Sequence, residues 1–159
     1  MRFAKYLVLF ISLILLQTTL LPLIEVGGLV PDVVLIGIIV LGIRQGSVPA
    51  IVAGCLAGFA QDAFVSHLFG LSSLANSCSG FVAGYFSREK VKYNLQVTLG
   101  VVLATAVVHD VLYFAIYKLG ADIGFFRMLF RYALPASFYT LVIAFIVHTV
   151  WPGGLWGKR

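Results

Sequence analysis

Charged side chains are scarce in this sequence. Lysine, arginine, aspartate and glutamate make up 11% of its 159 residues, whereas soluble domains contain about 25%. A water-soluble fold cannot cover its surface with so few charges. The apolar residues, 61% of the chain, also lie in long uninterrupted runs, as membrane spans require. The sequence therefore predicts an all-α integral membrane protein with room for little beyond short loops.

Motifs of catalysis and metal binding are missing as well. The sequence has no G-x-S-x-G nucleophile elbow, no Walker loop, no H-E-x-x-H and no dinucleotide fingerprint. Cys55 and Cys78 form no C-x-x-C pair, and the three histidines have no ligand spacing. We therefore expect a non-enzymatic protein without a metal or other cofactor. We interpret both cysteines as small membrane-embedded side chains.

Six apolar runs predict six spans in one membrane domain covering residues 1–159. The first follows two basic residues, as in a signal peptide, but no A-x-A-like cleavage site follows it, which favours a retained span. The second has only eleven purely apolar residues, 33–43, which cover ~17 Å of a ~30 Å hydrocarbon core. It either borrows residues 28–30 or is a short or tilted element. The predicted spans are 6–23, 29–43, 48–66, 68–86, 95–117 and 132–151.

The basic residues lie at the edges of the apolar runs, which argues against nucleic-acid binding as the reason for the net charge of +5. Six spans and a cytoplasmic start place three basic residues outside: Lys118, Arg127 and Arg131. The other eight fall inside: Arg2, Lys5, Arg44, Arg88, Lys90, Lys92, Lys158 and Arg159. Because cytoplasmic loops carry the excess of lysine and arginine, both termini are predicted to be cytoplasmic.

Polar residues within spans are candidates for function, because burying them in hydrocarbon is costly. Asp32 precedes the second span, where a carboxylate can cap free N–H groups, and Pro31 suits the same turn because it lacks an N–H. Asp62 lies near the outer end of the third span. It can reach interfacial water, or bond Asn76 or a serine of the fourth span.

Asp110 is the deepest acidic residue, about midway along the fifth span. We interpret it as a buried acid that is bonded across helices or kept neutral by desolvation. His109 is its neighbour, but adjacent helical positions point ~100° apart, so we do not expect the two to pair.

Small residues recur every four positions on the third and fourth spans. Such stripes let two helices approach closely, where van der Waals packing holds them together in lipid. We expect the two stripes to pack against each other; docking of a partner's helix is the alternative. The residues are Ala50, Gly54 and Gly58 on the third span, and Ser73, Ser77, Gly80 and Gly84 on the fourth.

The segment at residues 125–132 has the pattern of an amphipathic helix. Arg127 and Arg131 fall together at i and i+4. The apolar residues fall on another face: Phe126, Leu129, Phe130 and Ala133. This pattern predicts an interfacial helix in the outer loop, which either anchors the chain at the membrane surface or offers a platform to a partner.

Seven short motifs, taken in order, resemble the MreD family, small membrane proteins of bacterial rod-shape determination. The match extends over about residues 10–90 and includes Gln17. Its segments are 16–19 (LQTT), 31–35 (PDVVL), 44–46 (RQG), Gly54 with Gly58, 61–62 (QD), 69–71 (FGL) and 80–84 (GFVAG). The family has no catalytic motif. The resemblance therefore implies only that these positions are structural or interface residues.

The resemblance to MreD implies a role in cell elongation at the bacterial cytoplasmic membrane. Such proteins are membrane partners of the bitopic protein MreC. With it they connect a cytoplasmic actin-like filament to a cell-wall glycosyltransferase and a penicillin-binding transpeptidase.

The MreD fold is also similar to that of substrate-binding subunits of energy-coupling-factor vitamin transporters, which gives a second hypothesis. Those subunits engage their coupling subunit through an Ala-x-x-x-Ala pattern on the first span. No such pair occurs here at residues 6–12 (YLVLFIS). A vitamin site also needs convergent polar groups in an outer pocket, and Asp32, Asp62 and Asn76 could supply some of them.

Overall fold

The regular structure of this protein is helical throughout the described residues. The computed structural model describes residues 2–25, 28–65, 68–87, 95–117 and 124–150. A 3-10 helix at Leu21–Ile24 follows the first helix, and a π-helix at Leu129–Ala133 precedes the last. The helices are α1 (Arg2–Thr19), α2 (Val33–Gln45), α3 (Ser47–Val65), α4 (Leu71–Tyr85), α5 (Leu95–Tyr117), α6 (Phe125–Met128) and α7 (Leu134–Val150). The all-α prediction is confirmed, and each predicted span corresponds to one long helix.

Three helical segments of the described chain are long and apolar enough to cross a membrane. They are Ser47–Phe64, Gln96–Tyr117 and Phe125–Val150, and two shorter apolar helices are Val8–Thr19 and Val33–Gln45. Large apolar side chains cover much of the outer surface; Val48, for example, is 73% exposed. Water-soluble proteins rarely expose contiguous apolar surface on this scale, so these features fit a membrane protein.

Helix α2 is the shortest of the long helices and lies at the centre of the bundle. Its 13 residues extend ~20 Å, and it contacts α1, α3, α4, α5 and α7. A helix that is apolar on all sides must be buried, and Leu35, Ile38 and Ile39 have no exposed surface. Two apolar cores meet on it, one shared with α1 and α3 and the other with α4, α5 and α7.

The expectation that the second span borrows residues 28–30 is wrong, because α2 begins at Val33. Gly28 has a φ of +82°, a left-handed conformation that glycine adopts without strain, and Asp32 already caps the helix. The alternative, a short element, is the one observed. At the other end Gly46 has a φ of +88°, and α3 begins at the next residue.

Helices α3 and α4 pack backbone to backbone through their small residues. A Cβ atom added at Gly54 would lie 2.5 Å from the backbone oxygen of Asn76, and one added at Gly80 would lie 2.5 Å from the backbone oxygen of Ala50. Real side chains do not come this close, so each of these positions requires glycine. The predicted packing of spans three and four is confirmed.

The same contact continues at both ends of the pair. A Cβ at Gly58 would overlap the backbone of Ser73, and a Cβ at Gly84 would overlap the backbone of Ser47. The two stripes therefore cover each other within the chain, which leaves neither one open for a partner's helix.

Span six and the predicted amphipathic segment are one continuous helical segment, Phe125–Val150, rather than a span beginning at residue 132 with a separate surface helix. Phe126 and Phe130 are exposed, but Ala133 is fully buried, so the predicted single apolar face is wrong at Ala133. The π-helix changes the register: the N–H of Leu134 bonds to the carbonyl of Leu129, five residues earlier. Pro135 has no N–H to give to this turn, which favours the irregularity.

Other predicted boundaries differ by a few residues. The first helix ends at Thr19 rather than at residue 23, and the 3-10 helix that follows contains Pro22, whose ring disfavours continued α-helix. The fourth begins at Leu71 rather than at residue 68. The basic residues of segments 88–94, 118–123 and 151–159, on which the predicted orientation depends, lie outside the described residues.

We expect Gly58→Leu to lower the free energy of unfolding by about 3 kcal/mol, because the added side chain meets backbone that cannot move aside. Gly100→Leu is the matched control, since a Cβ at Gly100 meets nothing within 4 Å. The measurement is SDS-induced unfolding of both variants in mixed micelles. Equal stability of the two variants would contradict the assigned packing.

Candidate functional site

Buried and half-buried polar side chains gather where α1 ends, α2 begins, α3 ends, and α4 and α7 begin. Gln17 is at the end of α1 and Asp62 near the end of α3. Asp110 lies in the second half of α5, and Ser137 lies in the first turn of α7. The antiparallel order of the helices therefore brings residues from distant parts of the sequence to one end of the bundle.

Asp32 is the N-cap of α2 and accepts a hydrogen bond from one of the free backbone N–H groups at the start of this helix. Its Oδ1 accepts a hydrogen bond of 2.8 Å from the N–H of Leu35, so the predicted cap is confirmed. Gln17 on α1 extends the cap, since its Oε1 accepts from the N–H of Val34 at 3.1 Å. The N–H of Asp32 itself donates to Thr140 Oγ1 on α7 at 3.2 Å. Pro31 is fully buried and contributes no N–H that would need a partner.

His109 connects this cap to α5 and α7. Its Nδ1 lies 3.0 Å from Asp110 Oδ1, and its Nε2 lies 3.8 Å from Asp32 Oδ2. Ser137 Oγ donates to Asp110 Oδ2 at 2.6 Å and also lies 2.9 Å from the carbonyl of Ala133. We call Asp32, His109, Asp110 and Ser137 the Asp32 network.

The expectation that His109 and Asp110 do not pair is wrong. Their Cβ atoms point in different directions, but the imidazole and the carboxylate bend toward each other. Both side chains are buried, so water is not available as an alternative partner for either. The interpretation of Asp110 as an acid bonded across helices is confirmed by its contact with Ser137.

Sequence reasoning missed Ser137 and Thr140. The two lie three residues apart on α7, on one helical face, and this spacing was an available signal. Nothing in the sequence says that this face meets Asp110 and the start of α2. Tyr139 was also missed; its hydroxyl donates to the carbonyl of Ile24 at 2.7 Å and ties α7 to the segment after α1.

Aromatic rings continue from the network along α5. His109 stacks on Tyr113 with ring centroids 6.0 Å apart, and Tyr113 stacks on Tyr117 at 5.8 Å. The three residues are spaced at i, i+4 and i+8, which places them on one face of the helix. The stack leads from a buried imidazole to Tyr117, which is 41% exposed.

Asp62 caps the start of α4 from the neighbouring helix. Its Oδ2 accepts from the N–H groups of Gly70 at 2.8 Å and Ser73 at 3.4 Å, and its Oδ1 accepts from Ser72 at 3.1 Å. The expected contact with a serine of the fourth span is confirmed, although it is made to backbone. Asn76 bonds Gln61 instead, at 2.6 Å.

This arrangement is not that of a hydrolytic triad. Ser137 contacts Asp110 rather than His109, so the imidazole is not placed to take the hydroxyl proton. Ser137 also has no exposed surface. In the parts of the chain that the structure describes, no group of three or more His, Cys, Asp or Glu side chains could hold a metal ion.

The predicted surface residues are not part of this polar end. Phe126 and Phe130 are 74% and 66% exposed, and Arg127 and Arg131 are also exposed. They form a separate exterior patch, which we call the Phe126 patch. The candidate residues thus divide into two groups: those that join helices and those that are exposed.

Comparison of the chain with protein-family models, with curated proteins and with solved structures found no match.

Replacing Asp62 by Ala leaves three backbone N–H groups at the start of α4 without their acceptor. We expect the free energy of unfolding to fall by about 1–3 kcal/mol, the usual effect of an unsatisfied buried donor. Glu25→Ala removes an exposed carboxylate and is the control. Unfolding in mixed micelles measures both, and an Asp62→Ala variant as stable as Glu25→Ala would refute the capping role.

Proposed function

We propose that this chain is a non-enzymatic scaffold of the bacterial cell-elongation machinery. It crosses the cytoplasmic membrane several times, with both termini in the cytoplasm. It binds an MreC-like bitopic protein, and through this partner it couples to a cell-wall glycosyltransferase and a penicillin-binding transpeptidase. The proposal is motivated by the ordered motifs that resemble the MreD family.

The observation that carries the proposal is the position of the motif residues. Gln17 and Asp32 fix α1 to the start of α2. Gly54 and Gly58 allow α3 and α4 to touch, and Asp62 caps α4 across the same pair. These residues join α1 to α2 and α3 to α4. Helices joined in this way suit a protein that works by holding partners in place, and such work needs no reactive group.

The Phe126 patch is the proposed surface for the partner. Its two phenylalanines are exposed, and exposed aromatic residues are frequent anchors of interfaces. Neither arginine forms an ion pair with a described residue, so both are available to acidic groups of a partner at the membrane surface. Anchoring to lipid headgroups is the other use of the same side chains.

A vitamin-binding transporter subunit is the competing function. It would require polar groups free to contact a ligand. Asp62 accepts from three backbone N–H groups, and Asn76 is bonded to Gln61. Asp32 already caps α2, so each polar residue named for this function already forms hydrogen bonds within the chain, although Oδ1 of Asn76 has no partner among the described residues. This favours the scaffold.

Depletion of the protein in its host separates the two functions. A scaffold of elongation predicts cells that become round and wide, because wall synthesis is no longer directed along the cylinder, and vitamins in the medium do not repair this. The measurement is microscopy of depleted cells in minimal and vitamin-supplemented media. Normal shape with growth restored by one vitamin would establish the transporter function instead.

Truncating the Phe126 patch tests the partner surface. We expect the double variant Phe126→Ala and Phe130→Ala to lower the affinity for the MreC-like protein at least about tenfold, since an interface anchor contributes 1.4 kcal/mol or more. Affinity is measured by pull-down of the purified proteins in detergent. The control changes two exposed phenylalanines elsewhere, Phe81→Ala and Phe138→Ala. Equal binding by both double variants would exclude the patch as the partner surface.

A further inference from the structure

The imidazole of His109 lies between two carboxylates on different helices. Nδ1 is 3.0 Å from Asp110 Oδ1, and Nε2 is 3.8 Å from Asp32 Oδ2. The exposed fractions of the side chains are 7% for His109, 15% for Asp32 and 9% for Asp110. Both ring nitrogens therefore face oxygen acceptors in a place that water barely reaches.

With both carboxylates ionised, a neutral imidazole cannot satisfy both contacts, because it carries only one N–H. If Nδ1–H donates to Asp110, the lone pair of Nε2 faces the carboxylate oxygen of Asp32. In the other tautomer Nε2 carries the N–H, and the lone pair of Nδ1 faces the carboxylate oxygen of Asp110. A second proton on the ring gives a hydrogen bond from Nδ1 to Asp110 and an ion pair at 3.8 Å with Asp32, and it removes the conflict in either case.

The net charge of the site also favours a second proton on His109. With neutral His109 and both carboxylates ionised, the site carries a charge of −2, and burying charge without compensation is costly. One added proton reduces it to −1. No described lysine or arginine forms an ion pair with these residues, and α4 contains no acidic or basic residue. Among the described residues, the groups that surround the site are neutral or acidic: Gln17 of α1, Asp62 of α3, Tyr113 of α5, and Ser137 and Thr140 of α7.

We propose that Asp32, His109 and Asp110 form a proton-binding site, in which one proton from solution makes His109 an imidazolium that bridges the two carboxylates. The bridge joins the start of α2 to α5, and the contact between Asp110 and Ser137 extends it to α7. The proton is the ligand that completes this three-helix joint. This site is separate from the Phe126 patch and does not depend on the proposed scaffold function.

The site lies near the end of α5. Tyr117, at the end of the aromatic stack, is two helical turns or ~12 Å along α5 from His109, and it is 41% exposed. A proton therefore has a short distance to travel between the surface and the imidazole.

Nitrogen NMR of the full chain, labelled with 15N-histidine in lipid nanodiscs, reads the protonation state directly. The two ring nitrogens have similar shifts in an imidazolium and well separated shifts in a neutral ring. Spectra are recorded at about pH 7.5, one unit above the midpoint at which an exposed histidine titrates. The variants His67→Gln and His148→Gln assign the other two signals, so His109 is identified without being changed.

We expect both ring nitrogens of His109 to carry a proton in the wild-type chain. Asp32→Asn and Asp110→Asn each remove one carboxylate charge, and each is expected to lower the ratio of imidazolium to neutral ring at least about tenfold. Ser137→Ala keeps both carboxylates and is expected to keep the imidazolium.

A neutral His109 in the wild-type chain would overturn the proposal, and this reading does not require any variant to fold. An imidazolium that persists in both Asp→Asn variants would also overturn it, because the bridge would then not be its cause.

Discussion

The structure depends on providing hydrogen-bond acceptors for the backbone N–H groups at the start of α2, inside the bundle. This helix has thirteen residues and is surrounded by other helices, so its first N–H groups end among those helices rather than in water. An unsatisfied backbone group in such a place costs several kcal/mol. Asp32 and Gln17 supply the missing acceptors, and the N–H of Asp32 donates to Thr140. The positions of α1 and α7 around α2 follow from these hydrogen bonds.

The same requirement recurs at α4 and has an electrostatic consequence. Asp62 reaches from α3 to accept from the first N–H groups of α4, as Asp32 does within α2. Carboxylates are good caps because their charge strengthens each hydrogen bond. They also bring negative charge into a poorly solvated region. His109 lies between Asp32 and Asp110 and is the one described basic group in contact with either of them. Capping and charge compensation are therefore linked at this end of the bundle.

Small and large residues occupy different places in the bundle. Glycines on α3 and α4 are used where two backbones touch, and no larger side chain fits there. Large apolar side chains lie on the exterior, where lipid would surround them. Within the described part of the exterior, the Phe126 patch is distinguished by its combination of exposed aromatic residues with two arginines. This contrast is the reason for assigning partner binding to it in the proposed scaffold.

The sequence by itself determined the helical class, the approximate bounds of six long helices, the cap at Asp32 and the packing of α3 on α4. These depend on local composition, on helical periodicity and on the size of single residues, all of which can be read along the chain. It did not determine where α2 begins, because an apolar run does not show which of its residues are helical. The pairing of His109 with Asp110 and the contacts of Ser137 and Thr140 were decided by the tertiary structure alone. These contacts join α2, α5 and α7, and the distances between residues far apart in sequence are set by how whole helices pack.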